Sequence, residues 1–409
     1  MKTLIVIPTY WSHENYGLNE QKLPVFDHPT PVNSKGTFIR TLESLKILKD
    51  TDFDVLVIAS AVSAKVMGEM YKKIKKELIE YTKNSKIKLY LLSRVEVDKF
   101  KKIIKKNYQD RYNVFLHMKG YSPVRNLSLI AAQILDAEIL ISIDDDEIIT
   151  DPDFLFKAKE FIGKEHNGKM VDGIAGYYTY ENNRINLIDK KSKWRSSWNQ
   201  VKLMNAAFDQ FIKKGPRLKE AHWMLGGCSV IHRNLFTKIP FDIRIPRGED
   251  IDYLINSKMW GFNIFFDRKI FIKHTPSPSG HPLWKMHRTD IYRFIYQRQK
   301  IRQQRTHMNM VKVETKNLAP YTSAFIGKNL DSKIERSCKI MAEQYMSIGD
   351  SFSALQCLEN AKLASQEHLP KYNVFDQLLL LKKKWVSFSK VLEKKEIKSA
   401  LKKCLLEFR

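Results

Sequence analysis

The strongest constraint on the fold is that short apolar runs alternate with stretches of helical periodicity over the first 150 residues. The apolar runs cover residues 4–7, 53–59, 87–92 and 138–143. Runs without polar alternation are typical of strands that are buried on both faces of a sheet. Helical periodicity lies between them, for example at residues 37–45 and 126–136. This order of strands and helices predicts an α/β fold with a mostly parallel sheet flanked by helices.

The composition changes after about residue 290. Glycine becomes rare, Lys and Leu dominate, and helical periodicity continues to residue 409. Residues 342–364 resemble one degenerate tetratricopeptide-type helix pair, but an ordinary helical hairpin is the favoured interpretation of a single unit. We therefore predict two domains, an α/β domain over residues 1–290 and an α-helical C-terminal domain over residues 291–409.

The formal net charge is +25. A basic surface attracts polyanions such as nucleic acid, anionic lipid or phosphorylated sugars, but simple lysine enrichment explains the same charge, so charge alone does not choose a partner. Four widely spaced cysteines without a CxxC pair argue against a zinc site and a disulfide framework. The first apolar run is too short for a signal peptide, and no apolar stretch is long enough to span a bilayer. We therefore expect a cytoplasmic protein.

Four carboxylates follow the fourth apolar run in succession, from Asp144 to Glu147. Alternate side chains at a strand end point the same way, so Asp144 and Asp146 can converge while Asp145 diverges. Converging carboxylates are stable together only around a cation or hydrogen-bond donors. Oxygen ligands suit Mg²⁺ or Mn²⁺, so the run is a candidate metal site. An acidic turn that caps the next helix is the alternative interpretation.

Four segments, in order, resemble the GT-A glycosyltransferases, and family two in particular. They are LIVIPTYW at residues 4–11, VRNLSLIAAQILDAEILISIDDDEI at 124–148, GGCSVIHRNLF at 226–236 and PRGEDIDYLINSKMWGFNIFFD at 246–267. The resemblance covers roughly residues 3–276. It implies a GT-A fold and the transfer of a sugar from a nucleotide-diphosphate sugar to an acceptor with the help of a divalent metal.

The resemblance also implies roles for individual residues on the donor side. The metal ligands would be Asp144, Asp146 and His274, with His281 as the fallback ligand. The residues that would contact the nucleotide sugar are Pro8, Thr9, Tyr10, Arg125, Asp144, Asp145, Gly226 and Gly227. The second apolar run ends in Ala59-Ser60, where the family often carries an aspartate that reads the base, so UDP and GDP donors both stay open.

On the acceptor side, the resemblance implies that Asp250 removes the proton of the acceptor hydroxyl as a general base and that Glu249 binds an acceptor hydroxyl. Stabilisation of a helix N-terminus competes as an explanation of both carboxylates. Trp223 and Trp284 are candidates for stacking on a sugar ring, and core packing explains them equally well. Residues 11–35 form a longer segment than the family usually has and are a candidate lid or acceptor contact.

The predicted function is that of a hexosyltransferase-like, inverting glycosyltransferase of polysaccharide biosynthesis, acting on a glycan or a lipid-linked acceptor. A retaining enzyme with the same metal site is one alternative. A sugar nucleotidyltransferase is another, although the Gly-rich phosphate loop expected after its first strand is missing from Pro8-Thr9-Tyr10-Trp11. Nucleic acid is the least favoured partner, because the chain shows no zinc finger or RNA-binding motif.

The segment 371–409 combines 11 basic and 4 acidic residues with apolar residues at helical spacing. A basic amphipathic helix with a Trp and a Phe on its apolar side can lie at the surface of an anionic membrane, which would suit a lipid-linked acceptor. A helix whose apolar stripe packs on its neighbours has the same composition. The sequence leaves both interpretations open.

Overall fold

The structure is a computed structural model that describes residues 1–14, 16, 26–276, 280–365 and 370–409. Much of the candidate lid at 11–35, and three residues of the loop after His274, lie outside the described residues.

The described strands are β1 (Thr3–Ser12), β2 (Thr30–Pro31), β3 (Asp54–Ala61), β4 (Leu89–Leu92), β5 (Ile139–Ser142), β6 (Glu147–Ile148), β7 (Glu165–His166), β8 (Lys169–Met170), β9 (Gly173–Thr179), β10 (Leu218–Glu220), β11 (Ser229–His232), β12 (Ile264–His274) and β13 (Leu406–Phe408). Eleven of them form one sheet in the order β10-β12-β9-β11-β5-β1-β3-β4-β13, with β2 beside β1 and β6 beside β12. β7 and β8 form a separate hairpin.

The sheet is mixed but mostly parallel. β11 runs antiparallel to β5 and β9, β13 runs antiparallel to β4, and β6 and β10 run antiparallel to β12. The carboxyl ends of β1, β5, β9 and β12 therefore lie at one edge, and the start of β11 lies at the same edge because its direction is reversed. The acidic run follows β5 and His274 ends β12, so the topology brings both to this edge.

The described helices are α1 (Phe38–Ser44), α2 (Ala64–Lys83), α3 (Arg94–Tyr108), α4 (Tyr121–Ile134), α5 (Phe154–Phe161), α6 (Lys193–Ser197), α7 (Gln200–Lys213), α8 (Arg233–Phe236), α9 (Glu249–Met259), α10 (Leu283–Gln303), α11 (Leu330–Met346), α12 (Ser351–Lys362), α13 (Val374–Leu392) and α14 (Lys395–Lys402). Single 3-10 turns lie at Leu45–Ile47, Asn113–Phe115, Glu181–Asn183, Thr315–Leu318 and Thr322–Phe325.

Helices cover both faces of the sheet. Leu4 and Val6 of β1 belong to one hydrophobic core, which includes α3 and α4, whereas Ile5 and Ile7 belong to a second core with α1, α2 and α5. The apolar run at 4–7 is thus buried on both faces, as its lack of alternation predicts. The predicted fold class is confirmed: a mostly parallel sheet, flanked by helices, is followed by an α-helical C-terminal region.

The helix α10 runs without a break across residue 290, the predicted domain boundary. One core cluster extends from Leu4 of the first strand to Leu405 near the C-terminus. The two predicted domains therefore share a helix and a hydrophobic core. α11, a turn and α12 form the helical hairpin expected around residues 342–364.

The basic C-terminal segment packs against the α/β part of the chain. The indole N–H of Trp385 donates to the carbonyl oxygen of Phe236 at 3.0 Å, and the ring of Phe388 stacks on Tyr112 at 4.7 Å between centroids. The buried apolar residues of the segment are Val374, Phe375, Leu378, Leu381, Trp385, Phe388, Val391, Leu392, Ile397, Leu401, Leu405 and Phe408. The packed-helix interpretation is therefore the one that the structure shows, and the membrane-surface interpretation is not supported because the Trp and Phe side chains face the protein interior. Within the described ranges, every helix is too short or too polar to cross a bilayer.

Candidate active site

A cavity of about 470 Å³ opens at the edge of the sheet where the parallel strands end. The residues predicted from the sequence that line it are Tyr10, Arg125, Asp144, Asp145, Asp146, Gly226, Glu249, Asp250 and His274. The structure thus brings together residues from all four segments of the family resemblance, which are far apart along the chain.

Other predicted residues do not line the cavity. Pro8 lies within β1, where it pairs with Ile58 of β3. His281 is hydrogen-bonded through Nε2 to the carbonyl oxygen of Phe26 at 3.0 Å, away from the group formed by Asp146, Glu147 and His274. Both candidate stacking residues are core residues: Trp223 packs against Phe208 and Phe266, and Trp284 is 4% exposed.

Asp145 lines the cavity, and two threonines bind it. The hydroxyl of Thr9 donates to Oδ2 of Asp145 at 2.6 Å, and the hydroxyl of Thr41 donates to its backbone carbonyl at 2.9 Å. Burial, together with the negative charge of Asp146, raises the pKa of Asp145 well above its usual range. Thr9 therefore holds the side chain of Asp145, and Thr41 holds its backbone.

Asp146 and His274 meet at the edge of the cavity although 128 residues separate them. His274 Nε2 lies 3.2 Å from Oδ2 of Asp146, and the backbone carbonyl of Asp146 accepts hydrogen bonds from the N–H and the hydroxyl of Thr275, each at 2.9 Å. Burial alone would raise the pKa of Asp146, but the hydrogen bond and charge of His274 outweigh it and lower that pKa. The other ring nitrogen of His274, Nδ1, is buried and has no hydrogen-bond partner among the described residues.

Asp146, Glu147 and His274 each offer a ligand atom, and these atoms lie within 4.8 Å of one another. Two carboxylates and one imidazole are a ligand set that fits Mn²⁺ or a similar divalent ion. The imidazole of His274 has in Nδ1 a nitrogen without a hydrogen-bond partner among the described residues. Asp144 is not in this group: its Oδ1 accepts a hydrogen bond from Nη2 of Arg125 at 2.6 Å, and Glu147 lies in the group beside Asp146 and His274. Glu147 is the residue that sequence reasoning passed over, although it was visible as the fourth carboxylate of the run.

Glu147 is fully buried beneath the run. Its Oε2 accepts a hydrogen bond from the backbone N–H of Asp144 at 2.7 Å, and burial next to Asp144 and Asp146 raises its pKa well above the usual range. A Cβ atom at position 227 would lie 2.2 Å from Oε1 of Glu147. Gly227 is therefore required for the close approach of the carboxylate, rather than for a contact with the cavity.

Arg125 is buried and lines the cavity. A Cβ atom at position 226 would lie 2.6 Å from its Nη2, so Gly226 leaves the space that the guanidinium occupies. Nη2 binds Asp144, whereas Nη1 is buried without a hydrogen-bond partner in the described part of the chain. A guanidinium group with an unused N–H beside a cavity is a binding group for phosphate or carboxylate oxygens.

The N-terminus of α9 supplies the carboxylates on the other side of the cavity. Oδ2 of Asp250 accepts from the N–H of Gly226 at 3.0 Å, and Oδ1 accepts from the N–H of Ile251 at 2.7 Å. Burial raises the pKa of Asp250 although both N–H groups oppose it. Burial, and to a lesser extent the charge of Asp250, raises the pKa of Glu249 to about 7. Nε of Arg125 lies 3.5 Å from Oε1 of Glu249. Both carboxylates also lie in the first turn of α9, where negative charge stabilises the helix. Stabilisation of the helix N-terminus is therefore compatible with a role in the cavity.

No family model matches the chain, and neither does any curated protein sequence. A mannosyltransferase from Pyrobaculum calidifontis, solved in complex with GDP-Man and Mn²⁺, is similar over 97% of this chain and 87% of its own, at 11% identity and a TM-score of 0.45. TarS residues 1–349 from S. aureus are similar over 90% of this chain and 91% of their own, at 13% identity and a TM-score of 0.44. GalNAc-T7 with UDP, GalNAc and Mn²⁺ is similar over 73% of this chain and 51% of its own, at 12% identity and a TM-score of 0.36. At identities of 11–13%, these three likenesses concern the fold alone.

Proposed function

We propose that the protein is a nucleotide-sugar glycosyltransferase that works with Mn²⁺ or Mg²⁺. The observation that carries the proposal is the pairing of two different groups across one cavity. Asp146 and His274 offer metal ligands at the sheet edge, and Asp250 offers a carboxylate at the start of α9. The first group suits a donor diphosphate and the second suits an acceptor hydroxyl.

On the donor side, Asp146 and His274 would hold the metal, with Glu147 close enough to be a third ligand. A bound divalent ion would neutralise the charge that develops on the departing nucleoside diphosphate. Arg125 would add a fixed positive charge through its unused Nη1, and its position is set beforehand by the bond to Asp144. Preorganised charges of this kind need no rearrangement when the bond to the sugar breaks.

On the acceptor side, Asp250 is the proposed general base. Two backbone N–H groups fix the orientation of its carboxylate, and burial raises its pKa, which makes it a stronger base than an exposed aspartate. Glu249, with a pKa of about 7, would be available as either donor or acceptor to a neighbouring hydroxyl. Direct displacement assisted by Asp250 would invert the anomeric configuration. A retaining enzyme with the same metal ligands remains the alternative, and the anomeric configuration of the product distinguishes the two.

The test is a panel of UDP- and GDP-sugars with Mn²⁺ or Mg²⁺, with release of the nucleoside diphosphate as the readout. We expect release with at least one donor, loss of release in excess EDTA, and loss in Asp146→Asn. Asp153→Asn is a matched control, because Asp153 pairs with Lys49 at an exposed position outside the cavity. Full activity in excess EDTA would contradict the metal. In a parallel assay with a nucleoside triphosphate and a sugar 1-phosphate, release of pyrophosphate, together with no release of nucleoside diphosphate from the sugar panel, would indicate a nucleotidyltransferase.

A further inference from the structure

The cavity also has apolar lining residues that belong neither to the proposed metal ligands nor to the carboxylates of α9. Its partly exposed apolar side chains come from the segment before α6, from α7, from the turn before Gly226 and from the start of α10, and they are Leu187, Val201, Met204, Leu225, Leu283 and Met286. We call these six residues the apolar lobe. The metal ligands and Arg125 are not part of it, so the proposed chemistry leaves this surface without a role.

Two further residues that line the cavity, Trp198 and His287, are aromatic and carry no charge at pH 7. Trp198 packs against His287 at 4.6 Å and against Phe325 at 4.8 Å between ring centroids. His287 Nε2 pairs with the hydroxyl of Ser337 at 3.1 Å, and burial lowers the pKa of His287 to about 4, which keeps the ring neutral at pH 7. The apolar lobe and these two rings thus line the same cavity as the proposed catalytic carboxylate of Asp250. The six apolar side chains offer no strong hydrogen-bond partner to the hydroxyls of a glycan, whereas they would remove a hydrocarbon or aromatic group from water.

One positive charge accompanies the apolar lobe. Arg195 lines the cavity with its guanidinium 4.9 Å from the ring centroid of Trp194, and it forms no ion pair with any residue that the structure describes. The other three arginines of the cavity each pair with a carboxylate: Arg125 with Asp144, Arg247 with Asp27 and Arg293 with Asp290. Arg195 is therefore the arginine of this cavity whose charge is available to an anionic group of a ligand.

We infer that the acceptor is amphiphilic, with its reactive hydroxyl at Asp250, a hydrocarbon or aromatic portion in the apolar lobe, and a phosphate or carboxylate group against Arg195. The inference rests on the proposed function, because it takes Asp250 as the place of the acceptor hydroxyl. Both anionic groups share the chemistry that a guanidinium binds, so the two are separated by experiment.

A binding experiment tests the inference without any turnover. Alkyl phosphates of four to ten carbons are titrated below their micelle concentrations, with tryptophan fluorescence and calorimetry as readouts. Each buried methylene contributes about 0.8 kcal/mol, so two more methylenes in the lobe should tighten binding roughly 10-fold. Decyl phosphate should also bind at least about 10-fold more tightly than decanol or decyltrimethylammonium, because Arg195 contributes a charge-assisted hydrogen bond. Decanoate replaces decyl phosphate in a parallel titration, and the tighter of the two identifies the anionic group.

Two pairs of variants locate the binding. Leu283→Ser should weaken the binding of decyl phosphate about 10-fold, whereas Leu355→Ser, an equally apolar change on the exposed side of α12, should not. Arg195→Gln should remove the preference for decyl phosphate over decanol, whereas Arg336→Gln, at an exposed position of α11, should keep it. Met204→Gln repeats the test of the lobe on another element in case Leu283→Ser is poorly folded.

Binding that does not change with chain length, or that persists equally in Leu283→Ser, Met204→Gln and Arg195→Gln, would overturn the inference. Failure of the inference and failure of the proposed function give different results. Donor turnover without alkyl phosphate binding would refute only the amphiphilic acceptor. Alkyl phosphate binding at these residues without turnover of any nucleotide sugar would refute the transferase.

Discussion

Lys300 is fully buried between two carboxylates, and we predict that its replacement by Met is strongly destabilising. Its ammonium group lies 2.7 Å from both carboxylate oxygens of Asp252 and 3.0 Å from Oδ2 of Asp242. Asn256 completes the set, with its Oδ1 at 3.0 Å. Lys300 belongs to α10 and Asp252 to α9, so these contacts fix the helix that carries Asp250 against the C-terminal region.

The magnitude follows from what the substitution leaves behind. Removing one partner of a buried ion pair costs about 3–5 kcal/mol, because the remaining charge is uncompensated. Here two carboxylates remain, both inaccessible to solvent, so we expect the upper part of that range. Met has a similar length and volume, so a cavity contributes little. The exposed pair of Lys83 and Glu80 has the same 2.7 Å separation, but its loss in Lys83→Met should cost below about 1 kcal/mol.

The loss of stability caused by Lys300→Met should depend on pH. Burial raises the pKa of Asp252 from 3.8 to about 6, although Lys300 opposes the rise. A carboxyl group with a pKa above its value in the unfolded chain stabilises the fold only while it is protonated, and this contribution is lost as the pH rises through the pKa of the folded state. Without Lys300, the pKa of Asp252 rises further and Asp242 loses the ammonium group that holds its pKa down. The destabilisation by Lys300→Met should therefore be larger at pH 8 than at pH 5.

Urea unfolding followed by tryptophan fluorescence at pH 5 and pH 8 measures both effects. Lys83→Met is the control for loss of one positive charge, and Lys300→Met with Asp242→Asn should recover part of the loss because one carboxylate is neutralised. The reasoning would be refuted if Lys300→Met lowered the free energy of unfolding no more than Lys83→Met does. If Lys300→Met lowered the free energy of unfolding equally at pH 5 and pH 8, protonation of the two carboxylates would be refuted as a cause of the pH dependence.

Three further predictions concern the site and the core. Asp250→Asn should lower kcat at least about 10²-fold with unchanged donor affinity, measured by diphosphate release and calorimetry, and normal turnover would exclude Asp250 as the base. Gly227→Ala should displace the carboxylate of Glu147, since the new Cβ would lie 2.2 Å from Oε1, and should weaken Mn²⁺ binding in calorimetry; an unchanged affinity would show that Glu147 does not support the metal site. Trp385→Ala should lower the free energy of unfolding by about 3–5 kcal/mol, and a loss below about 1 kcal/mol would contradict the packing of the C-terminal segment.

The sequence predicts the sheet well because strands that are buried on both faces have an unmistakable pattern, as residues 4–7 and 138–143 illustrate. The position of the acidic run at the end of β5 can also be predicted, because the end of a strand is visible in the local sequence. The contact of Asp146 with His274 has no local signal and was expected only from the family resemblance. Glu147 was passed over because burial beneath the run, opposite Gly227, is a property of the tertiary structure.

Composition could not decide between alternatives that differ only in their tertiary partners. The segment around Trp385 and Phe388 has the composition of a membrane-surface helix and of a core helix, and the contact of Trp385 with Phe236 is what distinguishes them. In the same way, Val201 and Met204 of α7 lie on an amphipathic helix whose periodicity is the same whether it faces a core or a cavity.

The final strand, β13, has a consequence for solubility. Leu406, Glu407 and Phe408 pair with Leu91, Tyr90 and Leu89 of β4, so the last residues occupy the edge of the sheet. An uncovered edge of apolar sequence presents a row of unpaired N–H and C=O groups that can template the addition of a strand from another molecule. A chain truncated before residue 406 would expose such an edge on the Leu-Tyr-Leu-Leu strand. β13 therefore protects the edge of β4 from pairing with a strand of another molecule, and a change that weakens the pairing of β13 with β4 should lower solubility.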